Sequence, residues 1–493
     1  MEKEKKHPSV FEPFAIVLNL AVSVVGAIIG IQIVTTLGVT PSTSIIGALV
    51  AMLIARIPME LFRKYKSIHR QNLMQTSISS ATFGAANSLL IPIGIPFIMG
   101  KTELILPMLI GVALAMFIDA TLLYKLFDSR IFPARESWAP GVATAESILA
   151  GDKGGKRAGL LGIGALIGVI GSVLKIPMSA LGVAFIGNIW ALTMFGVGLL
   201  INQYSMPLFQ LDVGKLYIAH GIMIGAGIVA LIQVAVLIFK REDSAAEASK
   251  ENEAVTVPMR SVKRTLGLGY VAYLAVAVII AVLGGLMTKM SAGMLIGFII
   301  FAAFAAFFHE LIVGIAAMHS GWFPAFADMG YDLKTGYILR GNGSDKELEI
   351  RGRKQQYYTG MIAFGVALLT VVLTYKGFFG QNLVPPIDKV YASTINAGAS
   401  LDVAMKLLIW AIPGAIIQWI GGPNRQLGVM LATGLLIVSP NACWAVLGGI
   451  LIRVAVLKIK GKEAESTMSI LAAGFIAGDA LYSFFTSVFK ASK

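Results

Sequence analysis

A run of amide and hydroxyl side chains interrupts an apolar block at residues 72–100. Four of these side chains are spaced four, four and seven residues apart, which places them on one face of a helix: Asn72, Thr76, Ser80 and Asn87. Gln75 and Ser79 lie beside them and broaden this polar stripe. Amide and hydroxyl groups hydrogen-bond peptide units, and a polar face of this kind must contact protein or water rather than lipid. We predict that the stripe lines a substrate path. The alternative is that its side chains only join helices.

Two glycines and two prolines occur in the same block, namely Gly84, Pro92, Gly94 and Pro96. Proline lacks a backbone donor and clashes with the preceding helical turn, so we predict that the helix ends or breaks inside the membrane. A broken helix presents free carbonyls and a dipole end near the bilayer midplane, where transporters bind polar substrates.

Three carboxyl groups are candidates for proton coupling: Glu146, Glu310 and Asp479. Asp479 lies near the middle of an apolar block, in GFIAGDALYSFF, where desolvation suits a lone carboxyl group to bind and release a proton. The alternative for Asp479 is a structural ion pair. Glu146 lies in a short predicted helix at 143–150 that follows an irregular, proline-containing stretch.

A second interrupted segment, HSGWFPAFADMG, begins with His319 and Ser320 and contains Gly321 and Pro324. We predict that it forms the wall opposite the stripe, with His319 and Ser320 among the substrate-binding residues. AAMHS and PAFADMG in this region resemble AANS and IPFIMG in the stripe, which favours equivalent walls from two halves.

Other reactive patterns are incomplete. His309 and Glu310 begin a zinc-protease motif, but Val313 occupies the place of the second histidine. The sequence GDKGGKR ends in Arg157, where a phosphate-binding loop needs Ser or Thr. Cys443 is the single cysteine, so no disulfide forms within one chain. We therefore expect no nucleotide, no metal and no other cofactor, and any transport must be driven by a gradient.

The elements that position these residues are membrane helices. The 493 residues are 56% hydrophobic and 14% charged, with a mean hydropathy of +0.79, and apolar blocks of helix length recur along the chain. The net charge of +13 comes from basic connections, which the positive-inside rule explains better than nucleic-acid binding. We predict an all-α polytopic transmembrane bundle of about 14 spans (roughly 12 to 16), with broken or re-entrant segments.

The predicted organisation has two membrane halves, at 1–240 and 265–493, joined by a polar cytoplasmic linker at 241–264. The halves are candidates for a structural repeat. A polar insert at about 328–356 carries both signs of charge, and we interpret it as a cytoplasmic loop.

Basic loops place the N-terminus in the cytoplasm, but they conflict within the first half. The basic segment around Arg135 and the linker both read as cytoplasmic, although three apparent spans, at 158–176, 180–201 and 215–239, separate them. Either one of those three blocks is two half-spans, or an earlier block such as 72–100 is a re-entrant hairpin.

Three segments together resemble the oligopeptide transporter (OPT) family, which includes the yellow-stripe-like metal-chelate transporters, and its prokaryotic-type members in particular. They are NLMQT with IPIGIPFIMG, PGVATAESILAGDKGG and LAAGFIAGDALYSF, in that order along the chain. Two departures stand out. His69, Arg70 and Gln71 occupy positions where members often carry a Glu, and Asp479 stands where the family pattern has Glu.

The resemblance implies a non-enzymatic, proton-coupled importer of oligopeptides in the plasma membrane, with the bilayer and a small peptide or peptide-like substrate as its partners. Metal chelates or siderophore-like compounds are the alternative substrates. A passive channel or a polytopic membrane enzyme is the alternative of another class. Pairing of two copies as a homodimer stays open.

Overall fold

The computed structural model describes residues 7–37, 43–129, 131–239, 257–258, 260–268, 271–272, 275, 326–385, 388, 392, 401–437 and 441–491. Glu310, His319 and Ser320 lie outside the described residues. Within them the chain is helical, apart from turns, loops and one isolated bridge between Phe127 and Phe132.

The main helices, numbered in chain order, are α1 Pro13–Leu37, α2 Thr43–Ala55, α3 Ile68–Phe83, α4 Ile91–Ile98, α5 Ile105–Leu126, α6 Ala139–Lys153, α7 Gly155–Val173, α8 Met178–Ile186, α9 Ile189–Phe209, α10 Ile218–Phe239, α11 Phe326–Leu339, α12 Lys346–Gly380, α13 Leu401–Arg425, α14 Leu427–Leu436, α15 Ala442–Lys460 and α16 Ala464–Ala491. A 3₁₀ helix covers Glu60–Lys66, and a π-helical segment covers Gly84–Leu90.

In the described part of the chain, seven helical stretches are long and apolar enough to cross a bilayer. They are Pro13–Thr35, Ile68–Ile98, Thr102–Leu126, Gly155–Val173, Lys346–Gly380, Met405–Gly422 and Ala442–Lys460. The prediction of an all-α bundle with several membrane-spanning helices is confirmed. The count of about 14 spans stays a prediction.

The helix that carries the polar stripe does not break at its prolines. α3, the π segment Gly84–Leu90 and α4 form one continuous helical stretch, Ile68–Ile98. The N–H of Ile91 bonds to the carbonyl of Ala86, five residues earlier, so the helix is wider just before Pro92 and the proline clash is relieved. The prediction that the helix breaks at its prolines is wrong, because a wider turn takes the place of the break. A re-entrant hairpin over 72–100 is excluded because one continuous helical stretch covers 68–98.

The block predicted as one span at 180–201 divides between Gly187 and Asn188. The side chain of Asn188 accepts a hydrogen bond from the N–H of Ala191 at 3.2 Å and so starts α9. The preceding helix, α8, has 9 residues, a rise of about 14 Å that covers half of a bilayer core. One of the three blocks that separate the two basic segments is thus divided into two helices, as the first alternative requires, and the number of spans there stays a prediction.

The polar insert at 328–356 is not a loop. Residues 328–339 belong to α11 and residues 346–356 to α12, and several of their charged side chains are buried. The turn between the helices ends at Asp345, whose carboxylate caps α12 by accepting from the N–H groups of Glu347 and Leu348. The loop interpretation is wrong because these charged side chains lie inside the bundle instead of facing water, and Arg340, Glu349 and Arg353 form ion pairs there.

Helices α7 to α10 pack against helices α13 to α16 in a reciprocal way. α7 packs along α16, and α10 packs along α13. The short helix α8 contacts α15 and α16, and the short helix α14 contacts α9 and α10. When α7 to α10 are matched in order with α13 to α16, these contacts correspond: α7 contacts α16 as α13 contacts α10, and α8 contacts α15 and α16 as α14 contacts α9 and α10.

Glycines bring α1 and α2 against the backbone of α3. A Cβ atom at Gly47 of α2 would lie 2.6 Å from the carbonyl oxygen of Gln75, and one at Gly30 of α1 would lie 2.2 Å from that of Thr82. Both distances are shorter than a van der Waals contact. The spacing of α1 and α2 from α3 thus depends on the missing side chain.

Gly47→Ala is expected to lower the stability of the protein by about 1–3 kcal/mol, because the added methyl group forces α2 away from α3. Thermal unfolding of the purified protein in detergent measures the loss. Gly365→Ala in α12 is the matched control, since a Cβ there meets nothing within 4 Å. Equal midpoints for wild type and Gly47→Ala would contradict the close packing.

Candidate functional site

Helix α3 is the most enclosed polar element among the described helices. All its side chains from Gln71 to Phe83 are buried, and it packs against α1, α2, α6, α11 and α12. On the α1 side, Ser77 lies 2.8 Å from the hydroxyl of Ser23 and donates to the carbonyl of Asn19 at 3.1 Å. The stripe predicted from the sequence therefore faces protein, and its other side chains face α2, α11 and α12.

A buried carboxyl group, Asp332 of α11, lies directly against the stripe. It accepts hydrogen bonds from the amide of Gln75 and from the hydroxyl groups of Ser44, at 3.1 Å, and Ser80, at 3.4 Å. Donors from α2 and α3 therefore converge on one carboxylate of α11.

A second carboxyl group lies one turn earlier on the same helix. The Oδ1 atom of Asp328 accepts from Ser79 at 2.8 Å and from Thr43 at 2.9 Å. The hydroxyl groups of Ser79 and Ser44 lie 3.0 Å apart and connect the shells of the two carboxyl groups. We call this cluster the Asp328–Asp332 centre: Thr43, Ser44, Gln75, Ser79, Ser80, Asp328 and Asp332.

The Asp328–Asp332 centre contains no compensating cation within the described residues. No Lys or Arg in that part of the chain forms an ion pair with either carboxyl group, and the Oδ2 atom of Asp328 is buried without a hydrogen-bond partner. Two adjacent buried carboxylates repel each other and lack hydration. The chemistry that suits them is uptake and release of a proton.

Metal binding has little support in the described residues. They contain no group of three or more His, Cys, Asp and Glu side chains that could hold a metal ion. Apart from its two carboxyl groups, the centre offers hydroxyl and amide groups, which are weak ligands for transition metals. The expectation of no metal cofactor stays a prediction.

The centre is connected to α12 through Gln356. The amide of Gln356 donates to the hydroxyl of Thr76 at 3.2 Å and to the backbone carbonyl of Asp332 at 2.6 Å. Its carbonyl accepts from Arg340 at 2.8 Å. Gln356 therefore joins Asp332 to Arg340, so a displacement of α11 at Asp332 would shift a hydrogen-bond partner of Arg340.

Arg340 belongs to a buried network of charges. Its Nε atom lies 2.7 Å from a carboxylate oxygen of Glu349, and Arg353 contacts the same carboxylate at 3.0 Å. Arg353 also lies 3.5 Å from Asp128 and donates to the carbonyl of Phe127 at 2.9 Å. The Arg340–Glu349–Arg353 network joins α11, α12 and the loop that follows α5.

The remaining residues predicted for substrate binding differ in their position relative to the Asp328–Asp332 centre. Asn72 donates to Gln75 at 3.1 Å, and its own carbonyl oxygen is buried without a hydrogen-bond partner among the described residues. Asn87 lies in the π segment and is not a partner of either carboxyl group of the centre. The structure thus brings Gln75, Ser79 and Ser80 together in the centre, places Asn72 and Thr76 beside it, and leaves Asn87 apart.

Of the three predicted coupling residues, Glu146 and Asp479 are described, and both lie away from the Asp328–Asp332 centre. Glu146 forms an ion pair with Arg157 at the start of α7. Asp479 accepts from Ser172 of α7 at 2.6 Å and, at the start of α8, from the backbone N–H of Ser179 at 3.1 Å and its hydroxyl at 2.5 Å. No ion pair of Asp479 occurs within the described chain, so the expected alternative of a structural ion pair is not seen there.

Four residues of the centre were not predicted from the sequence: Thr43, Ser44, Asp328 and Asp332. One signal was present: Asp328 and Asp332 are four residues apart, which places both on one helix face. The mixed charges around them favoured a solvated loop instead.

Comparison with known families agrees with this architecture. A family model described as "OPT oligopeptide transporter protein" matches residues 13–239 and 320–490. Neither a curated protein nor a solved structure shows a significant match. The matched residues include α3, α6, α11 and α16 and make up most of the chain. The chain belongs to the OPT oligopeptide transporter family.

Proposed function

We propose that this protein imports oligopeptides across the plasma membrane by symport with protons, with its N-terminus in the cytoplasm. Family membership supports a membrane transporter of oligopeptide-type substrates. The observation that carries the proton coupling is the Asp328–Asp332 centre, a buried carboxyl pair held by hydroxyl and amide groups of α2 and α3.

Protonation gives the centre two states. Ionised carboxylates bind hydroxyl and amide donors through charge-assisted hydrogen bonds, which are about twice as strong as neutral ones. A proton on Asp332 weakens its hold on Ser44 and Gln75 and frees these groups to bind a peptide backbone. Peptide binding is then favoured in the protonated state, which is the differential affinity that coupling requires.

Asp479 is a second candidate for a proton site. Within the described chain its carboxylate accepts from neutral donors rather than pairing with a cation: the hydroxyl groups of Ser172 and Ser179 and the N–H of Ser179. Glu146 and Glu310 stay further candidates.

The two membrane halves are, in this proposal, related by a repeat. The reciprocal packing of α7 to α10 with α13 to α16 supports such a repeat, and so do the short helices α8 and α14. α8 begins where Asp479 accepts from Ser179, and α14 begins where the Gln418 side chain accepts from Gly428 at 3.1 Å and Val429 at 3.3 Å. Short helices that start inside a bundle present positive dipole ends suited to a peptide carboxylate.

Uptake into proteoliposomes tests the substrate and the coupling together. Purified protein is offered labelled di- to pentapeptides, free amino acids and iron chelates in parallel, with the outside acidified or at the internal pH. We expect accumulation of peptides that requires the acidic exterior. Uptake of chelates alone would overturn the peptide assignment, and uptake that ignores the gradient would favour a passive channel.

A further inference from the structure

A cleft of about 680 Å³ opens at the start of α12, separate from the Asp328–Asp332 centre. It lies between the N-terminal strap, residues 7–12, and the start of α3. The lining residues used below are Phe11, Glu12, Arg70, Arg351, Lys354 and Tyr358. The cleft is thus built from three separate segments of the chain.

The N-terminal strap is held in place by specific contacts. The N–H of Val10 donates to the side chain of Gln355 at 2.9 Å, and Glu12 pairs with Arg70 at 2.8 Å. The rings of Phe11 and Tyr358 lie 5.5 Å apart. The strap is therefore held in place as one wall of the cleft.

The lining of the cleft is positively charged. Arg70, Arg351 and Lys354 face one carboxylate, Glu12, which Arg70 already binds. Lys354 lies over the ring of Tyr358 at 5.7 Å and forms no ion pair within the described residues. Burial, with Arg340 nearby, lowers the pKa of His7 to about 3, so His7 adds no charge at neutral pH. The lining thus carries two more positive than negative charges. Arg351 also pairs with Glu347, which lies outside the lining, so Lys354 is the cation of the lining that has no carboxylate partner among the described residues.

A neighbouring segment has the character of a membrane surface. The 3₁₀ helix Glu60–Lys66 contacts the start of α1 through Phe14, whose ring lies 5.8 Å from that of Phe62. The exposed side chains of this helix and of Met59 just before it are apolar or basic apart from Glu60: Met59, Leu61, Arg63, Lys64 and Lys66. Exposed apolar groups beside Lys and Arg are typical of segments at the lipid–water interface.

We propose that the cleft binds the phosphate headgroup of an anionic phospholipid in the leaflet next to the N-terminus. Arg351 and Lys354 supply the charge, and Phe11 and Tyr358 supply the interfacial aromatic surface. Basic pockets between membrane helices recognise lipid headgroups in this way. The exposed apolar side chains around the cleft select a lipid over a soluble phosphate.

A bound lipid would stabilise the strap above the buried charges. A Cβ atom at Gly352 would lie 2.5 Å from Arg340 and 2.8 Å from His7, so the strap rests on the Arg340–Glu349–Arg353 network. Occupancy of the cleft therefore increases the stability of this end of the bundle. This effect does not depend on the substrate or on the proton coupling proposed above.

Thermal unfolding in lipid nanodiscs tests the proposal. The protein is compared in phosphatidylcholine alone, in phosphatidylcholine with phosphatidylglycerol, and in phosphatidylcholine with inorganic phosphate in the buffer. We expect phosphatidylglycerol to raise the unfolding midpoint by about 5 °C and free phosphate to leave it unchanged. Native mass spectrometry should show phosphatidylglycerol retained on the protein.

The double variant Arg351→Gln, Lys354→Gln should lose most of this rise and retain no phosphatidylglycerol. Lys458→Gln, Lys460→Gln is the matched control, because these lysines are exposed at the end of α15. Lys354→Gln alone changes one exposed side chain and serves if the double variant unfolds. Equal stabilisation of wild type and variant, or equal stabilisation by inorganic phosphate, would overturn the proposal.

Discussion

Asp332→Asn is expected to reduce proton-driven peptide uptake at least about 30-fold, because the centre loses its ionised state and with it the difference between two states, which charge-assisted hydrogen bonds worth about 1.5–3 kcal/mol each provide. An asparagine keeps the size of the side chain but cannot bind and release a proton. Its amide also directs hydrogens towards Gln75 and Ser44, which act as donors to Asp332 in the native protein. Initial rates in acidified-outside proteoliposomes measure the loss.

The control for this prediction is Asp152→Asn, since Asp152 is exposed at the end of α6. Its uptake should match wild type. Peptide exchange at equal pH, which needs no net proton movement, distinguishes lost coupling from lost folding. Exchange by Asp332→Asn with lost driven uptake would support a coupling role, whereas driven uptake at the wild-type rate would exclude it.

Glu349→Gln is expected to destabilise the protein by about 3–5 kcal/mol, the usual cost of removing one partner from a buried ion pair. Glu349 is the shared counter-charge of Arg340 and Arg353, and all three side chains are buried. After the substitution, Asp128 at 3.5 Å from Arg353 is the remaining carboxylate that the described structure offers the two guanidinium groups. A large fall in the thermal unfolding midpoint is the expected result.

Glu347→Gln is the matched control on the same helix. Glu347 pairs with Arg351, but its side chain is 72% exposed, so the change should stay within about 0.5 kcal/mol. Replacing the pair by apolar residues, as in Arg340→Met with Glu349→Leu, should restore part of the stability lost in Glu349→Gln. A similar midpoint for Glu347→Gln and Glu349→Gln would contradict a buried network.

The polar stripe of α3 was predictable because its signal is local. A spacing of three and four residues in an apolar block identifies a helix face without knowledge of the fold. Its partners were not predictable in the same way. Ser79 and Asp328 are 249 residues apart in sequence, and Gln75 and Asp332 are 257 apart. No periodicity connects such positions, so the centre appears only once α3 and α11 are packed together.

The errors at the prolines and in the polar insert have a common physical origin. Pro92 predicts a break from sequence because an α-helix has no room for it, but a π turn makes that room without ending the helix. Similarly, Arg340 and Glu349 appear solvated when charges are counted one by one. Their burial depends on mutual pairing, which is a property of the folded bundle.

The most direct test of proton coupling at the Asp328–Asp332 centre follows proton movement itself. Proteoliposomes loaded with a pH-sensitive dye are given a transported peptide at equal internal and external pH. Wild type should acidify the interior as the peptide enters, and the double variant Asp328→Asn, Asp332→Asn should not. Peptide-dependent acidification of the same size in the double variant would show that protons cross elsewhere in the protein.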